Sequence, residues 1–150
     1  EIGPVVHVAF ADPYCPVGRR TIVAAAAEDS WQAADGGTLV VIQGPRFSSR
    51  AESQHHAAAG WSVVGMTGQP EATLARELAL CYTSIAVVTD LDAGVEGPGV
   101  THQEVLEVFA RSIDRLRGVL TRAVARLPAE RDCACGHALD GLNLPFALPS

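Results

Sequence analysis

Apolar residues fall along this chain in two kinds of pattern, and their alternation predicts alternating helices and strands. From Val17 to about Ala34, Ile22, Val23 and an alanine run predict a helix with Trp31 near its end. Asp35-Gly36-Gly37 marks a turn, and the β-branched run Thr38 to Ile42 predicts a buried strand that Gly44-Pro45 ends. Ser49 to Ala59 predicts a second helix, with Gly60 in the left-handed capping position. Trp61 to Met66 reads as a short strand, and Pro70 opens a helix running to about Leu80. Tyr82 to Thr89 is apolar enough for a third strand, inside a parallel sheet. A loop rich in Gly and Pro, Asp90 to Val100, precedes a capping box of Thr101 and Glu104. The long helix after it repeats apolar residues at Val105, Phe109, Ile113, Leu116, Leu120 and Val124, which predicts that this face meets the core. Arginines 111, 115, 117, 122 and 126 are expected mostly on its other faces. Beyond Pro128 the chain reads as irregular.

Strands alternating with helices predict an α/β fold, whose sheets bind ligands beyond the carboxyl ends of their strands. Three loops lie at those ends: Gly44 to Ser49, Thr67 to Gln69, and Asp90 to Val100. With 150 residues, 48% hydrophobic and 19% charged, the chain suits one globular domain. Its net charge of −6 supplies no basic surplus for nucleic acid or an anionic membrane. A small anion remains compatible, since it needs only a local nest of donors. No apolar run reaches the roughly 20 residues of a membrane span, and no secretory signal is seen. Four cysteines do not make a disulfide scaffold, so a reducing cytosol is the default expectation. Cys133-Ala134-Cys135 is spaced more tightly than a usual zinc motif, and no second half is evident. The expectation is a reduced pair or a local disulfide, with no metal.

Each of the three loops holds residues suited to chemistry. In Gly44 to Glu52, Phe47 can stack on a flat ring and Ser48 can hydrogen-bond to one. Ser49 and Glu52 can close a capping box, and from spacing alone the plainer reading is a capped helix with a surface Arg–Glu pair. Met66 and Thr67 stand where a strand meets a helix. Backbone donors there suit a phosphate, although an ordinary turn has the same composition. Asp90 and Asp92, two residues apart, would point the same way on an extended segment. Such a pair suits an amino group and a ring nitrogen of a base; a solvated acidic turn or a divalent metal are the alternatives. The five histidines are scattered and none stands out by position.

Taken together, the segments HVAFADPYCP (His7 to Pro16), GTLVVIQGPRFSSRAE (Gly37 to Glu52), VGMTGQPE (Val64 to Glu71), LARELALCYTSIAVVTDLD (Leu74 to Asp92) and VTHQEVL (Val100 to Leu106) resemble the methylthioadenosine phosphorylase branch of the trimeric purine nucleoside phosphorylases. The resemblance covers nearly the whole chain. It implies a mixed central sheet flanked by helices, with residues 1–150 the carboxyl-terminal part of a single nucleoside phosphorylase domain. The implied reaction is phosphorolysis of 5'-methylthioadenosine to adenine and 5-methylthioribose 1-phosphate, with phosphate as co-substrate and no cofactor. By the same resemblance Asp90 would bond purine N7, Asp92 would accept from the 6-amino group, and Phe47 and Ser48 would line the base pocket. Met66 would pack on the ribose, Thr67 would bind phosphate, and His102 and Val105 would border the 5'-substituent. His7 would enter that pocket from a neighbouring subunit of a homotrimer, and the protein would be cytoplasmic.

Two departures keep alternatives open. Gly65 stands where many relatives carry Asn, and Asp92 is followed by Ala93-Gly94, a pattern more typical of bacterial relatives, including some that act on methylthioinosine. A 6-oxopurine or methylthioinosine phosphorylase is therefore the enzymatic alternative. Glu1 to Phe10 also reads as mid-domain sequence. The family's glycine-rich phosphate loop, Arg-His pair and further phosphate threonine precede the matched stretch, so the first strands of the sheet are expected outside it. A non-catalytic nucleoside-binding remnant is the alternative of another class.

Overall fold

The computed structural model describes residues 5–95, 100–145 and 147–148. Residues 96–99 of the Gly- and Pro-rich loop, and Glu1 to Pro4, lie outside the described residues. The order of elements is α1 (Pro16–Ala27), β1 (Leu39–Val41), α2 (Arg50–Ala58), β2 (Val63–Gly65), α3 (Gly68–Glu77), α4 (His102–Arg126) and a short 3-10 turn (Ala134–His137). β1 and β2 pair in parallel, with Leu39 opposite Val63, Val40 opposite Val64 and Val41 opposite Gly65. Helix α2 connects them, so β1-α2-β2 is the α/β unit the alternation predicts. Gly60 follows α2 at φ +73, the left-handed conformation expected of it. The regular part of α3 starts at Pro70, because Gln69 just before it is extended (φ −119, ψ 136). Among the described residues no helix is long and apolar enough to cross a membrane.

The core forms where α1 meets α4. Ala25, Ala26, Val119 and Ala123 are buried together, with Ile22 and Trp31 packed against them. α1 ends at Ala27, short of the expected Ala34, because the chain turns at Ser30 (φ +53) and carries Trp31 back onto the core. There the Arg115 guanidinium lies 5.0 Å from the centre of the Trp31 ring. Arg115 also donates to the Asp29 carbonyl at 2.6 Å, Arg122 pairs with Asp29, and Arg126 donates to Glu28 Oε2 at 2.9 Å. Three arginines expected on the outer faces of α4 thus reach the acidic end of α1. Unpaired carbonyls at a helix carboxyl end favour such cations.

Two expectations are corrected here. The buried seam of α4 runs through Val119 and Ala123, whereas Phe109, Leu120 and Val124 of the expected face are exposed, Val124 by 66%. The seam is rotated by one residue because α1 offers small alanines, and Val119 with Ala123 let the two backbones approach. Residues 82–89 are also not a paired strand. Burial alternates along them as in an extended segment, yet among the described residues no strand lies alongside to take their amides. They border instead a cleft that Leu39, Val63 and Val119 also line. The segment is tied to α1 by the Cys15 amide, which donates to the Tyr82 carbonyl at 2.7 Å.

The rotated seam is testable by urea unfolding of this chain. Val119→Ala is expected to cost about 2 kcal/mol, and Leu120→Ala, which is 41% exposed, less than about 1 kcal/mol. Equal losses would restore the expected face.

Candidate nucleoside site

The loop after β1 is held by one carboxylate. Glu52 takes both Arg46 nitrogens, NH1 on Oε2 and NH2 on Oε1, each at 2.8 Å. Its Oε2 also accepts from the Ser49 amide at 2.8 Å and the Ser49 hydroxyl at 2.9 Å. Ser49 Oγ in turn accepts from the Glu52 amide, which completes the capping box of α2. The plainer reading of this stretch is thus correct as geometry, and it has a positional consequence. Arg46 donates onward to the Phe47 carbonyl at 3.1 Å, so the residues bracketing Phe47 and Ser48 are fixed at both ends. Phe47 is left partly exposed. Ser48 is 7% exposed, and its buried hydroxyl has no hydrogen-bond partner among the described residues. A buried hydroxyl left unpaired costs about 1–3 kcal/mol, which a ligand atom or a water would recover.

The other two loops come to this one. A Cβ added at Gly94 would collide with the Arg50 side chain, so the turn after Asp92 lies directly on the start of α2. A Cβ at Gly44 would lie 3.0 Å from the Met66 sulfur, which sets Met66 against the end of β1. Asp90 is half-buried. Its Oδ2 accepts from the Thr89 hydroxyl at 2.7 Å and its Oδ1 from the Asp92 amide at 2.8 Å. Asp92 has φ +63, and its Oδ1 accepts from the Ala93 amide at 2.8 Å. The expected extended pair is therefore corrected. Asp90 closes a tight turn onto Asp92, and the left-handed backbone there, not strand alternation, directs the second carboxylate.

The remaining candidates are dispersed. Thr67 is exposed just before α3, and its hydroxyl makes no capping bond. His102 is exposed at the first position of α4, and Val105 is half-buried one turn on, behind the capping box of Thr101 and Glu104. His7 is exposed ahead of α1 and makes no hydrogen bond to the three loops among the described residues. Two contributors carry little signal in sequence. Thr89 orients Asp90 and is marked only by preceding it, and Arg50 supports the Asp92 turn. Nearby, the Tyr82 hydroxyl donates to Glu71 Oε2 at 2.6 Å, and this bond to a carboxylate, with some burial, raises Tyr82 to about 12. Away from the loops, Cys15, Cys81, Cys133 and Cys135 bring their sulfurs within 4.8 Å of one another. The second half thought absent from the Cys133-Cys135 motif is therefore present, because folding brings in two cysteines remote in sequence.

A family model described as the phosphorylase superfamily matches residues 1–125. The chain is 66% identical over 148 residues to a purine nucleoside phosphorylase of Streptomyces coelicolor, covering 97% of this chain and 53% of that protein. It is 53% identical over 146 residues to an S-methyl-5'-thioadenosine phosphorylase of Mycobacterium tuberculosis, covering 96% and 53%. Among solved structures, the methylthioadenosine phosphorylase of Schistosoma mansoni in complex with adenine superimposes with a TM-score of 0.80 at 37% identity, over 87% of this chain and 51% of that one. The chain spans about half the length of the curated relatives it matches.

Hydrogen bonding to Arg46 and then to Ser49 holds Glu52 down to about 2, from an ordinary 4.5. The folded value lies below the unfolded one, so its contribution is complete above 4.5 and fades as pH falls toward 2. Glu52→Gln is expected to lower the urea midpoint at neutral pH, with the gap from the unaltered chain narrowing as pH falls through that window. A gap independent of pH would show that the carboxylate does not hold the loop.

Proposed function

The chain belongs to the phosphorylase superfamily, and from that membership we propose that it supplies the nucleoside-reading loops of an enzyme that splits 5'-methylthioadenosine with phosphate. The observation that carries this is the Ser48 hydroxyl beside Phe47, buried and without a partner among the described residues, two residues before Arg50, whose side chain meets the turn that follows Asp92. That arrangement offers a flat ring one stacking surface, one hydroxyl and two carboxylates.

In the proposed reaction a phosphate oxygen forms a bond to the anomeric carbon as the bond to purine N9 breaks. The electron pair leaves with the base. Charge develops on the purine, so the enzyme gains by stabilising the departing ring and by holding phosphate under the sugar. Asp90, oriented by Thr89, donates a proton to N7 of the leaving purine, so the base departs as neutral adenine and Asp90 is left ionised, while Asp92 accepts from the 6-amino group. Met66 packs on the ribose, Thr67 offers its uncommitted hydroxyl to phosphate, and His102 with Val105 borders the 5'-group. His7, exposed ahead of α1, reaches a neighbouring subunit's site in a homotrimer. Products are adenine and 5-methylthioribose 1-phosphate, and no cofactor beyond the phosphate co-substrate is needed.

Two carboxylates are the reason to favour a 6-amino over a 6-oxo purine, since an acceptor facing a carbonyl oxygen leaves both unpaired. The expected outcome is phosphate-dependent adenine release from methylthioadenosine by a form of the protein extended upstream, and little by this chain alone. Asp90→Asn in the extended form is expected to lower adenine release by roughly 100-fold, about 2.7 kcal/mol, while shifting preference toward 6-oxo substrates. Unchanged preference would remove Asp90 from base recognition. No release by either form would leave a nucleoside-binding protein without catalysis.

A further inference from the structure

All four cysteines of the chain meet in one place, outside the nucleoside loops. Cys15 precedes α1, Cys81 opens the extended segment that leads to Asp90, and Cys133 and Cys135 sit at the start of the 3-10 turn. Their sulfurs lie within 4.8 Å of one another, and those of Cys81 and Cys133 are 3.4 Å apart. Cys133 is extended (φ −146, ψ 158) and the chain coils immediately after it, which lets a one-residue spacing deliver two neighbouring sulfurs. Cys15 and Cys135 are buried. Four sulfurs placed tetrahedrally at about 2.3 Å from a zinc ion stand about 3.8 Å from one another, within the observed spread.

We propose that Cys15, Cys81, Cys133 and Cys135 form a tetrathiolate site for one structural zinc ion. Soft thiolates in a tetrahedral set select zinc over the harder divalent cations. On binding, each thiol releases its proton to solvent, and four thiolates on one dication leave two negative charges. Arg131 is the nearby compensating cation. Its NH1 donates to the Ala79 carbonyl at 2.8 Å, and it lines a cleft of ≈ 370 Å³ together with Cys15, Cys81 and Cys133. That cleft gives the ion a route in from solvent. The ion would clamp three chain segments at once: the start of α1, the extended segment carrying Asp90, and the stretch after α4. This site is independent of the nucleoside reading, and each stands or falls alone.

The test uses the full-length protein prepared with zinc and a reductant. About one zinc per chain is expected by elemental analysis, and cobalt(II) added to metal-free protein is expected to give the visible absorption of a tetrahedral tetrathiolate. Cys81→Ser and Cys133→Ser, at the two less buried ligands, are each expected to lower bound zinc by about 10-fold or more. Removing the metal in reductant is expected to lower the melting temperature. The cobalt spectrum of the unaltered protein decides the matter even if both variants misfold. Protein that takes up neither zinc nor cobalt would overturn the site. So would a mass reduced by the hydrogens lost in two disulfides among these residues under the same reducing conditions.

Discussion

The structure depends on how closely helix α1 can be approached along one stripe of its surface. Toward its carboxyl end its alanines, Ala25 and Ala26, let α4 bring Val119 and Ala123 into contact. Two turns earlier on the same stripe, Gly18 leaves room for the extended segment, and a Cβ there would collide with the Thr83 hydroxyl. Small residues toward both ends of that stripe make α1 the element to which the long helix and the Asp90 segment are both attached. The acids that follow it, Glu28 and Asp29, then collect the arginines of α4. These ion pairs are largely surface features and contribute modestly one by one; their value is in setting the register of α4 against α1.

From this hub the candidate site loops are placed in a chain of dependence. The extended segment leaves α1 at Tyr82 and delivers Asp90, whose carboxylate is committed to Thr89 and to the Asp92 amide. The turn that follows rests on Arg50, the first residue of α2. That helix begins at the capping box whose carboxylate also binds Arg46. One helix start therefore orients both the Phe47-Ser48 side and the Asp92 side of the site. Charge-assisted hydrogen bonds converging on one carboxylate suit such a role, since they fix direction as well as distance. The same economy appears at the sulfur cluster, where Cys81 opens the segment that ends at Asp90 and Cys15 anchors it to α1.

Sequence by itself determined the local features. The β1-α2-β2 unit, both capping boxes, the helix start at Pro70 and the left-handed Gly60 follow from short-range rules, and they stand where residue type places them. The motifs also determined the family, because GPRFSSRAE and TDLD are contiguous blocks whose residues need no folding to be read together. Only the tertiary structure decided the rest. An apolar spacing on α4 is compatible with two neighbouring faces, and the alanines of α1 chose Val119 and Ala123 over Leu120 and Val124. An apolar run becomes a strand only if another strand takes its amides, and residues 82–89 have none among the described residues. Four cysteines at separations of one residue and of many more carry no mutual distance in one dimension; folding alone brought their sulfurs within 4.8 Å. Local backbone and side-chain chemistry is written in adjacent residues, whereas choice of face, strand partner and ligand set depends on what lies across the fold.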